Sequence, residues 1–362
     1  MNGKVLKQCV GIDCSKDELA ICFGLMNSEF TIVHKALTVF PNDSKGLKKL
    51  LKWTEKLKDP AVPVTFVVEA TGVYHENLAY FLVDEKQTVS VVLPNKINHF
   101  AQTLELKTVT DRVASKTIAT FGLEKKLDAW VKPSPLFAQM KQLTRERGQL
   151  KDERTVCQNQ LHAEQHAAFP ISSSIKRMKK RIKILNEQIA EIEEEIKNIL
   201  DENVWLKEKI DNLCTIPGVG LITAVTVVAE TDGFNLIRNG KQLTSYAGFD
   251  VVDKSSGTSV RKKSRISKKG NKHLRKAMYF PSITNVKYDK RHQNLYQRLE
   301  AKSGIKMKGY TAIQRKLLLL IYALWKKNEC YDPNYQSTKL NQPKLLEQPI
   351  LTALTELDQV CS

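Results

Sequence analysis

Short apolar runs alternate with turn-forming residues through the N-terminal third, and their spacing predicts strands at 9–13, 19–23 and 31–37, an antiparallel meander. Asp43 and Ser44 can cap a following helix that carries Leu47, Leu50, Leu51 and Leu57 on one face, and the β-rich run 64–68 comes next. Gly72 then turns the chain into a helix with Leu78 and Leu82, 89–93 is a further buried strand, and Thr110 or Asp111 opens another helix. Three strands followed by alternating helices and strands predict a mixed α/β sheet of ribonuclease-H-like type.

After Pro133 and Pro135 the pattern becomes charged and helical. Ile175, Met178, Ile182, Leu185, Ile189, Ile192, Ile196 and Ile199 follow spacings of three and four without a break, the seam of a coiled coil. Leu136, Met140, Leu143, Leu150 and Leu161 predict a partner helix, with 169–174 as the hairpin turn. The pair reads as a spacer or as an oligomerisation arm. A third, mainly helical and strongly basic region starts near Leu213 at the turn 216–220, Ile-Pro-Gly-Val-Gly. This turn resembles a helix-hairpin-helix, whose glycines open backbone N–H groups to a phosphate, and reads equally as a tight helix connection. The expected division is 1–135, 136–210, 211–335 and a tail, 336–362, without readable chemistry.

Charge changes this picture from a generic α/β protein to one with a polyanionic partner. The 362 residues carry 57 Lys and Arg against 39 Asp and Glu, a net charge of +18, which favours nucleic acid through phosphate neutralisation. No apolar run reaches the roughly 20 residues needed to span a bilayer, and the N-terminus lacks a signal-peptide plan, so a cytoplasmic protein is expected. Seven scattered cysteines without a Cys-x-x-Cys pair predict reduced thiols rather than a disulfide framework or zinc ribbon.

Three acids fall at element ends: Asp13 after the first strand, Glu69 after the fourth, Asp111 at a helix start. Singly, each reads as a solvated strand end or a cap. Jointly, on this topology, they point to phosphodiester chemistry, which needs hard oxygen ligands converging from separate elements to hold divalent ions and leave positions open for phosphate and water. The second feature is Ser255-Ser256-Gly257 ahead of nine basic residues without an acid: Arg261, Lys262, Lys263, Arg265, Lys268, Lys269, Lys272, Arg275 and Lys276. Such density suits a phosphate backbone, and a serine on a Gly-flanked loop can act as a nucleophile when activated, although Ser-Gly also makes an ordinary turn. His162 and His166 are four apart, but the order His-Ala-Glu-Gln-His misplaces the glutamate for a zinc-protease motif.

Gly11-Ile12-Asp13, Val68-Glu69-Ala70-Thr71-Gly72 and Thr110-Asp111-Arg112-Val113 with Ile118-Ala119, then Ile216 to Gly220, Tyr246-Ala247-Gly248-Phe249, Ser256-Gly257, Ile266 to Asn271 and Leu274-Arg275, together resemble one family. It is the DEDD transposases of bacterial insertion sequences, the IS-one-ten group, also described as bridge-RNA-guided recombinases, and the likeness runs from about Val10 to Pro333. The resemblance implies a RuvC-like domain whose Asp13, Glu69 and Asp111 hold magnesium, a coiled coil, and a transposase domain whose Ser256 becomes covalently joined to DNA. It also implies a homo-oligomer of two to four chains, double-stranded donor and target DNA as substrates, and a structured RNA that pairs with both. Ser255 is the neighbouring alternative for the nucleophile. The family's fourth acid, three residues after the third, falls here on Ala114. A water-using junction nuclease and a catalytically silent nucleic-acid-binding protein are the alternatives that this departure leaves open.

Overall fold

The computed structural model describes residues 4–104, 110–235, 237–253, 255–256, 260–261 and 264–335. The chain divides into two compact units, 1–133 and 134–362. The first contains β1 (Val5–Cys14), β2 (Glu18–Asn27), β3 (Ile32–Pro41), α1 (Ser44–Leu57), β4 (Val64–Glu69), α2 (Glu76–Asp84), β5 (Thr88–Val92), α3 (Pro94–Thr103) and α4 (Asp111–Glu124). Its five strands lie in the order β3-β2-β1-β4-β5, with the first three antiparallel and β4 and β5 parallel to β1. This meander joined to a parallel half is the ribonuclease-H-like arrangement. Local chemistry explains the element starts: Asp43 accepts from the Gly46 N–H at 2.7 Å to open α1, and Thr110 caps α4 through the Val113 N–H. The sequence pattern passes over α3, whose start is marked only by Pro94 in the first turn.

Side-chain alternation sorts β1 onto two cores. Val10, Ile12 and Cys14 join Leu47, Leu50, Leu78 and Leu82 on the face covered by α1 and α2, whereas Cys9, with Val67 of β4, packs against Ile118 and Phe121 of α4. Gly11 lies on the α4 face, where a Cβ would stand 2.2 Å from the backbone nitrogen of Ala119 and 2.5 Å from the Ser115 carbonyl oxygen. Helix and strand therefore meet backbone to backbone at this point.

The second unit opens with two 31-residue helices, α5 (Pro135–Gln165) and α6 (Ser172–Glu202). Along the α6 seam Leu185, Ile189, Ile192, Ile196 and Ile199 are buried, whereas Ile175, Met178 and Ile182 near the hairpin turn are only half-buried. Then follow α7 (Val204–Cys214), α8 (Leu221–Glu230), α9 (Gly240–Tyr246), β6 (Val251–Val252), β7 (Ser255–Ser256), β8 (Val260–Arg261), β9 (Arg265–Ile266), α10 (Lys272–Ala277), α11 (Tyr279–Tyr288), α12 (Lys290–Ser303) and α13 (Lys306–Lys327). Phe137, Met140 and Leu143 of α5 and Ile192, Ile196 and Ile199 of α6 share one core cluster with α7 to α13. The base of the helical pair is thus continuous with the region expected to stand as its own domain, because its seam residues have apolar partners on α7 and α8.

Between α7 and α8 the 216–220 turn is tight, with Gly218 at φ +88° and packed against the Pro281 carbonyl, and Gly220 exposed at the start of α8. No described helix is long and apolar enough to cross a membrane. The six described cysteines are all free.

Candidate active site

Register brings two of the three acids together. β1 pairs with β4 up to Ile12 opposite Val68, so Asp13 and Glu69 follow as neighbours at the carboxyl ends of two parallel strands, about 5 Å apart in the backbone. Asp13 alternates with Cys9 and Gly11, and Glu69 with Val67, on the face that α4 covers. α4 runs antiparallel to β1, with Ala119 and Ser115 beside Gly11, and its first residue, Asp111, reaches the level of Asp13.

The electrostatics agree with this convergence. Burial and the like charge of Asp111 hold the Asp13 carboxyl above the usual carboxylate range, opposed by a hydrogen bond from the Cys14 backbone. Glu69 is raised by burial and by Asp13, opposed by a hydrogen bond from Thr71. Among the described residues no ion pair neutralises any of the three. A cavity of about 350 Å³ opens here, lined by Asp13, Ser15, Glu18, Asp111 and Arg112 among others. Glu18 was not singled out by its sequence; the short turn from Cys14 to Glu18 was the one signal that it returns to the Asp13 end of the sheet.

The donor set, partly desolvated carboxylates without a cationic partner, suits a hard divalent cation. The side chains stand apart all the same: among the described residues no group of three or more His, Cys, Asp or Glu forms a ready-made metal cage. Ala114 is half-buried on the first turn of α4, three residues beyond Asp111. Cys14, beside Asp13, is no reactive thiol, since burial and the Asp13 and Glu69 charges push it up to about 12.

In the second unit the chain leaves the core at Asp250 and returns at Ser267. In between, two short antiparallel pairs set Val251 opposite Ile266 and Ser256 opposite Val260. Ser256 therefore belongs to the outer pair of a short β-ribbon whose inner pair is Val251–Ile266. The side chains of Ser255, Ser256 and Arg261 are not described, and Gly257, Lys262 and Lys263 lie outside the described residues.

The ribbon's base is firmly tied. Ser267 Oγ donates to Asp250 Oδ1 at 2.6 Å, and the Lys268 and Asn271 backbone N–H groups donate to the carbonyls of Gly248 and Tyr246. Asn271 caps α10 and donates to Glu230, which is fully buried and paired twice with Arg145, at 2.6 and 2.9 Å. Burial alone would raise Glu230, but hydrogen bonds from Arg145 and Asn271 lower it.

Of the basic run, Arg265, Lys268, Lys269 and Lys272 are exposed. Lys276 pairs with Asp152 of α5 at 2.6 Å. Arg275 turns inward and donates to the carbonyls of Ala247 and Asn271, so it braces the ribbon base. His162 of α5 and His166, which follows its last residue, stack on each other, and the His166 ring donates to the His162 carbonyl.

Comparison with known proteins places these features. A transposase family model of the DEDD, IS110 type matches residues 10–170, and one for the transposase IS116/IS110/IS902 family matches residues 210–297. The pilin gene-inverting protein of Moraxella bovis is 28% identical over 334 residues, 90% of this chain and 98% of that protein. An uncharacterised 43.6 kDa protein of insertion element IS110 from Streptomyces coelicolor is 25% identical over 120 residues, 33% of this chain and 29% of that protein. Among solved structures, T. thermophilus RuvC in complex with a Holliday junction substrate matches 34% of this chain and 99% of its own, at 10% identity and a TM-score of 0.27. With both halves matched by its models and a relative aligned almost end to end, the chain belongs to the IS110 family of DEDD transposases and is a DNA transposase or recombinase.

Proposed function

We propose that this transposase exchanges DNA strands under RNA guidance, with Asp13, Glu69 and Asp111 as magnesium ligands and Ser256 as the nucleophile. The observation that carries the reading is the meeting of three uncompensated carboxylates on the α4 face of the sheet, two of them raised by burial and like charge. Magnesium bound there would neutralise charge on the scissile phosphate and its leaving oxygen. The Ser256 hydroxyl attacks phosphorus, a serine–phosphate ester forms, the bond to a deoxyribose oxygen breaks, and that oxygen leaves as a hydroxyl carrying a proton. In a second exchange a deoxyribose hydroxyl of the new strand attacks the ester and releases the serine. The tied base of the ribbon supports this by presenting Ser256 from a fixed root. Acids and serine belong to separate units, and the reading takes them from separate subunits of a dimer or tetramer.

Exposed Arg265, Lys268, Lys269 and Lys272 contact phosphates of double-stranded donor and target DNA or of the guide RNA, with sequence read by base pairing rather than by side chains. A water-using nuclease is the second reading, favoured by Ala114, which leaves the metal site one carboxylate poorer than its family's pattern. The test is magnesium-dependent cleavage of a labelled junction with the co-purifying RNA. Asp13→Asn and Glu69→Gln are each expected to lower the rate by at least a hundredfold, and undiminished cleavage by both would overturn the metal assignment. RNase treatment is expected to abolish target choice, and unchanged choice after it would overturn RNA guidance.

A further inference from the structure

Glu18 opens β2 immediately after the turn that follows Asp13. The cross-strand partner of Asp13 is Ala20, and Glu18 lies two residues from Ala20, so alternation puts Glu18 on the same face as Asp13, diagonal to it. The turn fixes that placement: the Ser15 N–H and hydroxyl both donate to the Glu18 carbonyl at 2.9 Å, and the Glu18 N–H donates back to Ser15 Oγ at 3.0 Å. Asn42 then ties the turn to the loop after Glu69, its Nδ2 donating to the carbonyls of Ser15 and Tyr74 at 2.9 and 3.0 Å. Both backbone polar groups of Ser15 and of Glu18 are used. The Glu18 carboxylate is not: it is exposed and makes no hydrogen bond or ion pair among the described residues. It lines the 350 Å³ cavity with Asp13 and Asp111, where Arg112 is the one basic side chain.

We propose that Glu18 is a further ligand of the divalent ion, supplying from the first hairpin the carboxylate that position 114 of α4 lacks. The inference rests on the metal reading of Asp13, Glu69 and Asp111. A third carboxylate lining this cavity, with no ion pair of its own among the described residues, adds repulsion in the metal-free protein and is useful there once a cation enters. A flexible glutamate at a hairpin end reaches further than an aspartate on a helix, so it can close a site whose acids stand apart. The same cavity would otherwise receive a DNA phosphate, which a free carboxylate repels.

The test is direct binding of Mn²⁺ to the full chain without nucleic acid, read from the spectrum of the free ion by electron paramagnetic resonance. Glu18→Gln is expected to weaken binding about tenfold or more, and adding Ala114→Asp in that background is expected to recover binding to within about threefold of the parent. Glu18→Gln binding within twofold of the parent, while Asp13→Asn binds weakly, would overturn the role of Glu18 and leave the metal site standing. Equal binding by the parent, Glu18→Gln and Asp13→Asn would overturn the metal reading itself. Weakened binding by Glu18→Gln that Ala114→Asp fails to recover would show that Glu18 does not stand in for position 114, and would overturn the proposal in that form.

Discussion

Gly11→Ala is the sharpest test of how the site is assembled. The added methyl would lie 2.2 Å from Ala119 N, 2.5 Å from Ser115 O and 2.7 Å from Ala119 Cα, against ordinary contact from 3.4 Å. The shortfall at the closest atom is 3.4 − 2.2 = 1.2 Å. All three neighbours are backbone, so no rotamer change relieves the clash and α4 must move away from β1. Overpacking of this kind costs about 1–3 kcal/mol, and the rigid surroundings place this case near 3 kcal/mol. At roughly 3 °C per kcal/mol for a unit of this size, the first unit should melt about 10 °C lower. The same displacement carries Asp111 away from Asp13, and a shift of about 1 Å at a reacting centre can cost on the order of a hundredfold in rate. The assay is scanning calorimetry and junction cleavage on one preparation. Gly148→Ala serves as comparison, because its Cβ meets nothing within 4 Å in the middle of α5 and should stabilise by up to about 1 kcal/mol. If Gly11→Ala melts within 2 °C of the parent, to take a margin of about a fifth of the expected drop, and cleaves at the parent rate, the close approach of α4 does not assemble the site.

Three further expectations concern charge and packing. Asp13 and Glu69 have folded-state values raised above their ordinary range, so the stability linked to them is complete below the unfolded-state values and is lost as pH rises through the raised ones; melting with a chelator present should therefore fall across that window, and Asp13→Asn should flatten the fall. Arg145→Ala strands the buried Glu230 carboxylate and should destabilise the second unit by about 3 kcal/mol or more by denaturant titration, whereas Glu230→Gln, which keeps a hydrogen-bonding side chain, should cost less. Ile196→Ala, fully buried in the seam, should cost about 2–5 kcal/mol, and half-buried Ile182→Ala under about 1 kcal/mol, in the same titration.

Much of the fold was legible because it rests on local signals. The meander, the caps at Asp43 and Thr110, and the unbroken α6 seam all follow from residue spacing alone. What spacing could not provide was pairing. That Asp13, Glu69 and Glu18 share the α4 face depends on the β1–β2 and β1–β4 registers, which join residues far apart in the chain. The role of Gly11 was hidden for the same reason, since the residues that crowd it are more than a hundred positions away. Arg275 and Lys276 looked like their exposed neighbours in a basic run, yet one braces a ribbon and the other pairs with Asp152. Composition cannot separate a phosphate contact from a structural tie.

The central claim is that a serine of the second unit and the carboxylates of the first act in one strand-transfer reaction. The most direct measurement incubates the protein, with any RNA that co-purifies with it, and labelled junction DNA with magnesium, and looks for a covalent protein–DNA adduct after denaturation in the parent, Ser256→Ala and Asp13→Asn. The account predicts an adduct in the parent, mapped to Ser256, and none in either variant. Cleavage without any adduct in the parent, or an adduct that survives Ser256→Ala, would contradict it.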